Sequence, residues 1–416
     1  MKSKILFIGD DIRHTTGVSR ILKEVILDIA NRYNIIQLAC GNNSKEQGIT
    51  DVSQSVCKIR NLNECSVKLY ETKNYGNLDQ LKNILFSEQP HVIFLMTDPH
   101  RYKWFFESEN EIRNFCPIMY YHVWDNLPHP LFLKPVYKSC DWIGCISKLT
   151  HECVSKVCPD HKNYCHIPHG VNTNIFFKQS NEQIKRNRIS FLGKDFKFVL
   201  FYNNVNQKRK QLGNLIDGFY LFHKNLNESQ KNDVALLLHT NPISASGIDV
   251  NTLLDDLYPD LPVFISSEKV EENVLNNMYN LSHCTITCSS MEGFGLSTLE
   301  SVATQTPIII SYTGGLKDQF NKNWSEKIVP DLQILTGSQN TPYINSDISS
   351  SKNISQAIKR MYLRIIGNQI DFKSIDDFLN ENNFKSNLMS NSIADSIDQT
   401  LSSFKSGSQL RFVKIN

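Results

Sequence analysis

Short apolar runs alternate along the chain with longer stretches in which apolar residues recur every three or four positions. The first pattern marks buried strands and the second marks helices packed on one face. In the N-terminal half, Ile5–Ile8, Asn34–Leu38, His91–Met96, Ile118–Val123, Trp142–Ile146 and Tyr164–Ile167 read as strands. Val18–Ala30 reads as the first helix, with Ile21, Leu22, Val25 and Ile29 on a common face. A second series follows, with strands at Phe196–Tyr202, Val234–His239, Val263–Ser266, Thr285–Cys288 and Pro307–Ser311 and helices at Gly213–Phe222 and Leu296–Ala303. Strands this continuously apolar belong in parallel sheets covered on both faces.

Between the two series, Lys178–Ser190 is polar and lacks an apolar period, which predicts a linker. The expected organisation is α/β. A Rossmann-like domain covers residues 1–180, a linker 181–195, a second Rossmann-like domain 196–386, and a polar C-terminal segment 387–416 carries one weak helix at Ile393–Phe404. Two doubly wound domains facing each other leave a cleft, and ligands collect at the carboxyl ends of the strands.

Composition narrows the partners. The chain has 416 residues, and 44 Lys+Arg against 42 Asp+Glu leave a net charge of +2, without the basic excess of a nucleic-acid binder. Hydrophobic content of 40% supports real cores, and no apolar run approaches the roughly 20 residues of a membrane span. The N-terminus reads as a strand rather than a secretory signal. Eleven cysteines in such a chain point to a reducing, cytoplasmic setting. Residues 140–169 hold five cysteines and four histidines without a C-x2-C pair, which reads as buried thiols and ordinary histidines rather than a zinc site.

The chemistry concentrates in Ser289-Ser-Met-Glu-Gly-Phe-Gly-Leu-Ser-Thr-Leu-Glu300. A strand ends at Cys288, a turn bearing Gly293 and Gly295 follows, and a helix starts near Leu296. The amides of Phe294, Gly295 and Leu296 then form a helix N-terminus able to hold an anion. Glu292 and Glu300 flank it, and carboxylates accept hydrogen bonds from the hydroxyls of a sugar or ribose.

Glu292-Gly-Phe-Gly-Leu-Ser-Thr-Leu-Glu300 resembles the E-x7-E motif of GT-B retaining glycosyltransferases, in particular glycosyltransferase family 4, the group 1 glycosyl transferases. The likeness covers about residues 1–320. It implies a GT-B fold and transfer of a sugar, with retention, from a UDP- or GDP-linked donor to a hydroxyl on a glycan, protein, lipid or small molecule. No metal is implied. Carried over by position, Arg209 and Lys210 hold the diphosphate, Glu292 orients the anomeric carbon, and Glu300 binds the ribose. Gly17 belongs to the N-terminal Gly loop near the donor phosphate, and His122 matches a histidine that contacts the donor sugar. Asp125 is placed near the acceptor.

Two positions depart from the family pattern. Asn203-Asn204 replaces the usual Gly-Arg, which removes one diphosphate arginine and leaves Asn204 as a donor contact. Gln305 replaces a helix-ending glycine and must adopt another cap geometry or accept about 1 kcal/mol of strain. These departures keep open a non-catalytic sugar-nucleotide-binding subunit, and the shared architecture keeps open a sugar-nucleotide epimerase. A dehydrogenase is excluded, because Gly9–Gly17 lacks G-x-G-x-x-G and the second strand ends without an acid.

Overall fold

The computed structural model describes residues 2–42 and 48–405. Two sheets organise the chain. The first joins β1 (Lys4–Asp10), β2 (Asn34–Asn42), β3 (Ile49–Asp51), β4 (Ser66–Lys73), β5 (Val92–Thr97), β6 (Ile118–His122), β7 (Trp142–Cys145) and β8 (Tyr164–His166) in the order β3-β4-β2-β1-β5-β6-β7-β8. All its pairings are parallel except the short edge pair β3–β4. The second joins β9 (Phe198–Asn203), β10 (Val234–His239), β11 (Val263–Ser266), β12 (Cys284–Thr287), β13 (Ile308–Ser311) and β14 (Ser325–Ile328) in the order β11-β10-β9-β12-β13-β14, parallel throughout. Ile5–Ile8, Phe198–Tyr202 and Ile308–Ile310 are fully buried, as unbroken apolar strands between two helical layers must be.

Each sheet reverses direction beside its first strand, at β1 and β9. The loops leaving those strands carry Thr15–Gly17 and Asn204–Lys210, and both reach the same cleft. A third, two-stranded sheet pairs β15 (Leu332–Thr336) with β16 (Ile344–Ile348) as an antiparallel hairpin outside both Rossmann-like layers.

The predicted linker is corrected by the structure. Asn181–Leu192 forms a twelve-residue helix. Ser180 caps its N-terminus, and Gly193 ends it at φ +73° in the left-handed region where glycine carries no Cβ penalty. Only Ile184 and Leu192, about two turns apart, are buried on it, so no apolar stripe marks the sequence. The preceding residues are tied to the Glu272–Leu281 helix through Asn276 to the Phe177 amide (3.2 Å) and Asn280 to the Gln179 amide (2.8 Å).

The C-terminal segment also differs. Ser386–Lys405 is one twenty-residue helix that leaves the second sheet and packs on the first helix of the chain, Gly17–Ile29. Ile393, Ala394 and Ile397 are buried there, the Tyr33 hydroxyl binds the Ala394 carbonyl (3.0 Å), and Arg32 pairs with Asp398 (2.7 Å). The rest of the predicted tail, 406–416, lies outside the described residues. At this return the chain bonds back to the earlier crossing: the Val171 amide donates to Phe384 and the Ser386 amide to Val171, both at 2.9 Å.

Gln305 accepts the left-handed geometry expected of a glycine, at φ +56°, and its side-chain amide is held by both carboxylate oxygens of Asp376 at 2.7 Å. Among the described residues, no helix is long and apolar enough to cross a membrane. Cys140, Cys145, Cys153 and Cys158 are buried thiols, and no group of three or more His, Cys, Asp or Glu side chains among the described residues could hold a metal ion.

Candidate active site

The cleft between the two sheets encloses about 720 Å³. Two helices begin at its walls, one from each half. Gly17 opens the first helix, whose Thr16 cap accepts from the Ser19 amide at 3.1 Å. Leu296 opens the other, Leu296–Ala303, directly after Gly295. The two N-termini nearly touch, since a Cβ on Gly17 would lie 3.5 Å from the Leu296 side chain. Both ends present partial positive charge to the cleft.

Gly295 has φ +95°, and a Cβ there would meet the Leu316 side chain at 2.4 Å, so this turn requires glycine twice over. Gly293 lies against the N-terminal half, where an added Cβ would approach Asp125 Oδ1 at 3.0 Å. Phe294, between them, is buried edge-on against His169 and Phe384.

Arg209 and Lys210 come from a short 3-10 turn after β9. The Lys210 ammonium is ion-paired to Glu292 Oε2, and Arg209 Nη1 reaches the same oxygen at 3.4 Å and the Met291 carbonyl at 3.1 Å. Ser289 Oγ donates to that oxygen too, at 3.0 Å. Burial alone would push the Glu292 carboxyl up, but Lys210 and Arg209 bring it down to about 2, so it is ionised at neutral pH. Burial also lowers Lys210, with Glu292 opposing. Arg209 and Lys210 are the cations this wall of the cleft offers to an anion, beside the carboxylates of Glu292, Asp125 and Asp98.

Glu300 is buried on the Leu296–Ala303 helix. Arg20 from the first helix pairs with its Oε1, and the Tyr279 hydroxyl donates to Oε2 at 2.7 Å. Asn203 Nδ2 in turn donates to that hydroxyl at 2.8 Å. The first asparagine of the Asn203-Asn204 pair therefore orients Tyr279, which orients Glu300. Asn204 also lines the cleft, and its Nδ2 is buried without a hydrogen-bond partner. Such a donor is costly to leave unmade, so it marks a position where a ligand oxygen fits.

Asp125 lines the cleft half-buried, and its carbonyl accepts from the Glu292 amide at 3.3 Å. Burial raises its carboxyl to about 6, with Arg209 pulling against that and Glu292 and Asp98 adding to it.

The expectation for His122 is corrected. It is fully buried at the end of β6 and does not line the cleft; Nδ1 meets the Tyr120 hydroxyl at 3.1 Å and Nε2 meets Tyr137 at 2.8 Å. Burial drives it down to about 3, which leaves a neutral core histidine. The histidines that do line the cleft are His169, after β8, and His239, at the end of β10. The Tyr121 hydroxyl donates to Ile167 at 2.8 Å, so it accepts from His169 Nδ1–H at 3.1 Å, which leaves Nε2 as an acceptor. Its position in Ile167-Pro-His-Gly170, just past the carboxyl end of a strand, was the available signal. Sequence reasoning also missed Arg20, Asp98 and Tyr279. Arg20 stands in the Gly17-Val-Ser-Arg20 stretch, but its own role depends on the distance between two halves of the chain.

Residues 264–331 match the family model of glycosyl transferases group 1. That span includes the Glu292–Glu300 turn and helix. No curated protein matches the sequence. Among solved structures, the chain is similar to sucrose-phosphate synthase from Thermosynechococcus elongatus (12% identity, 97% of this chain and 100% of that one, TM-score 0.73). It is also similar to HepE of Anabaena in complex with UDP and glucose (13% identity, 95% and 100%, TM-score 0.68). A third is the trehalose 6-phosphate synthase of Burkholderia multivorans (12% identity, 97% and 99%, TM-score 0.63). The two-domain architecture is thus the GT-B fold.

Proposed function

We propose that the chain transfers a sugar, with retention, from a nucleotide-diphosphate donor to a hydroxyl acceptor. The observation that carries this reading is the Arg209–Lys210 pair gathered on Glu292 in the cleft where two helix N-termini also open. HepE, bound to UDP and glucose in a GT-B frame of the same extent, is consistent with such a donor.

In this reading, Arg209 and Lys210 neutralise the β-phosphate as the bond between the anomeric carbon and phosphate oxygen breaks. Arg209 can bind two oxygens at once, whereas Lys210 acts as a point charge. The Phe294, Gly295 and Leu296 amides take further phosphate oxygens, and Asn204 Nδ2 supplies part of what the missing arginine would. Glu300 keeps Arg20 and Tyr279 and still has lone pairs for ribose hydroxyls. Glu292 orients the sugar and stabilises positive charge at the anomeric carbon. The acceptor oxygen bonds that carbon on the face the phosphate leaves, and its proton passes to the departing phosphate oxygen. His169 Nε2 accepts from a sugar hydroxyl. Gly17 approaches the donor phosphate, and Asp125 holds the acceptor. The two cations at the phosphate make a divalent ion unnecessary.

Calorimetric titration with a panel of UDP- and GDP-sugars tests donor binding. NMR of the product then reads the anomeric configuration, and turnover in EDTA tests metal independence. Inverted product would refute retention, and no binding to any donor would refute the transferase reading.

A further inference from the structure

Cys57 and Cys65 bring their sulfurs to 3.2 Å, with the Cys57 thiol donating to Cys65 Sγ. Cys57 lies on the Ser53–Arg60 helix, and Cys65 directly precedes β4, near one edge of the first sheet. The chain between them turns at Asn61, which sits at φ +52° and donates its amide to the Cys57 carbonyl.

Backbone bonds hold the two cysteines in this register. The Cys65 thiol donates to the Ser53 carbonyl (3.3 Å), and the Val67 amide donates to Ser53 Oγ (2.9 Å). The Val52 amide donates to the Val67 carbonyl at 3.0 Å. The first turn of the helix is thus tied to the start of β4, so the fold itself sets the approach of the two sulfurs. Both cysteines are half-buried and open to a reagent from solvent, whereas eight of the other nine are buried and only Cys165 is comparable. Neither sulfur lines the cleft, so this feature stands apart from the transferase reading.

We infer that Cys57 and Cys65 form a dithiol site that a small disulfide oxidant converts to an intramolecular disulfide and that excess thiol restores. A disulfide holds its sulfurs about 2 Å apart, so closing the pair takes a shift of about 1 Å. Burial, with Cys57 beside it, pushes the Cys65 thiol up, which makes Cys57 the entering nucleophile. Cys57 gives its proton to water, and the thiolate attacks one sulfur of the oxidant. The oxidant's S–S bond breaks, and its other half leaves as a thiolate. Cys65 then gives its proton to water and attacks Cys57 Sγ, and the second half of the oxidant leaves. The two cysteine sulfurs lose two electrons, the oxidant becomes two thiols, and those thiols take up the two protons. The partners are eight positions apart, so the bridge removes comparatively little chain entropy, which suits a reversible site better than a structural staple.

The test incubates the full, reduced chain with glutathione disulfide and counts free thiols by mass after N-ethylmaleimide labelling in denaturant. The reduced chain carries eleven free thiols; we expect the count to fall by two, with peptide mapping joining Cys57 to Cys65, and dithiothreitol to restore eleven. The pair should react at least about tenfold faster than Cys165 takes up glutathione, because the resolving thiol already stands at 3.2 Å. In Cys65→Ser the glutathione should stay on Cys57 as a mixed disulfide, and in Cys57→Ser the Cys65 thiol should remain reduced. Eleven thiols after oxidation, a bridge to another cysteine, a lasting mixed disulfide on the native chain, or a rate no faster than that of Cys165 would each overturn the site. Uptake by Cys65 in Cys57→Ser as fast as by the native pair would reverse the order of attack. The map of the native chain decides the pairing even where a serine variant fails to fold.

Discussion

Glu292→Gln should reveal how strongly the diphosphate site is strung before any donor arrives. The native carboxyl lies at about 2 against an ordinary 4.5, and that gap corresponds to about 3 kcal/mol at pH 7. The sign follows from a folded value below the unfolded one. The stabilisation is complete above about pH 5 and disappears as pH falls toward 2, where the native carboxyl is protonated as well. Lys210 gauges the same pair differently, because burial lowers its ammonium despite Glu292. The carboxyl is the better gauge for this substitution, since it collects Lys210, Arg209 and Ser289 together. Urea unfolding of both proteins, followed by circular dichroism at pH 7, 4 and 3, measures the difference. We expect a deficit of about 3 kcal/mol at pH 7 that shrinks steadily below pH 4.5. A deficit below about 1 kcal/mol, or one equally large at pH 3, would refute the reasoning.

Arg209→Ala should lower kcat by about 100- to 1,000-fold and weaken donor binding, as loss of a charge-stabilising donor does elsewhere; a native kcat/KM would remove it from the diphosphate site. His122→Phe should destabilise the fold by about 1–3 kcal/mol, since Tyr137 loses its partner, while kcat of the folded enzyme stays within about threefold; thermal melts and initial rates read the two effects apart. Activity should fall as pH drops through about 6, because Asp125 becomes protonated there. Asp98→Asn removes a neighbouring negative charge and should move that acid limb to lower pH; an unmoved limb would assign it to another group.

The two-sheet plan was legible because each central strand is an unbroken apolar run, and Glu292–Glu300 was legible because its glycines and acids sit in one short turn. Arg209 and Lys210 were readable for the same reason, as a basic pair following a strand. The Asn181–Leu192 helix escaped because two buried residues make no stripe. His122 misled because a histidine at a strand end looks the same whether the next layer is water or tyrosine. Arg20 meets Glu300 from the other half of the chain, and Tyr279 and Asp98 reach their partners from separate elements, so local pattern carries no such information. The hairpin was invisible for a further reason: Leu332, Ile334 and Leu335 are apolar but exposed, so their pattern predicts no packing partner.

The paired crossings at Val171 and at Phe384–Ser386 have a mechanical meaning. One connecting strand would act as a tether, free to twist in any direction. Two strands bonded side by side act as a door hinge, which permits a swing about one axis and resists shear. Lys385 presses so closely on Gly170 that an added Cβ would approach its backbone to 2.5 Å, which fixes the pin of that hinge. The crossings are pinned side by side in the same arrangement that seats Arg20 on Glu300 and the Glu292 amide on the Asp125 carbonyl.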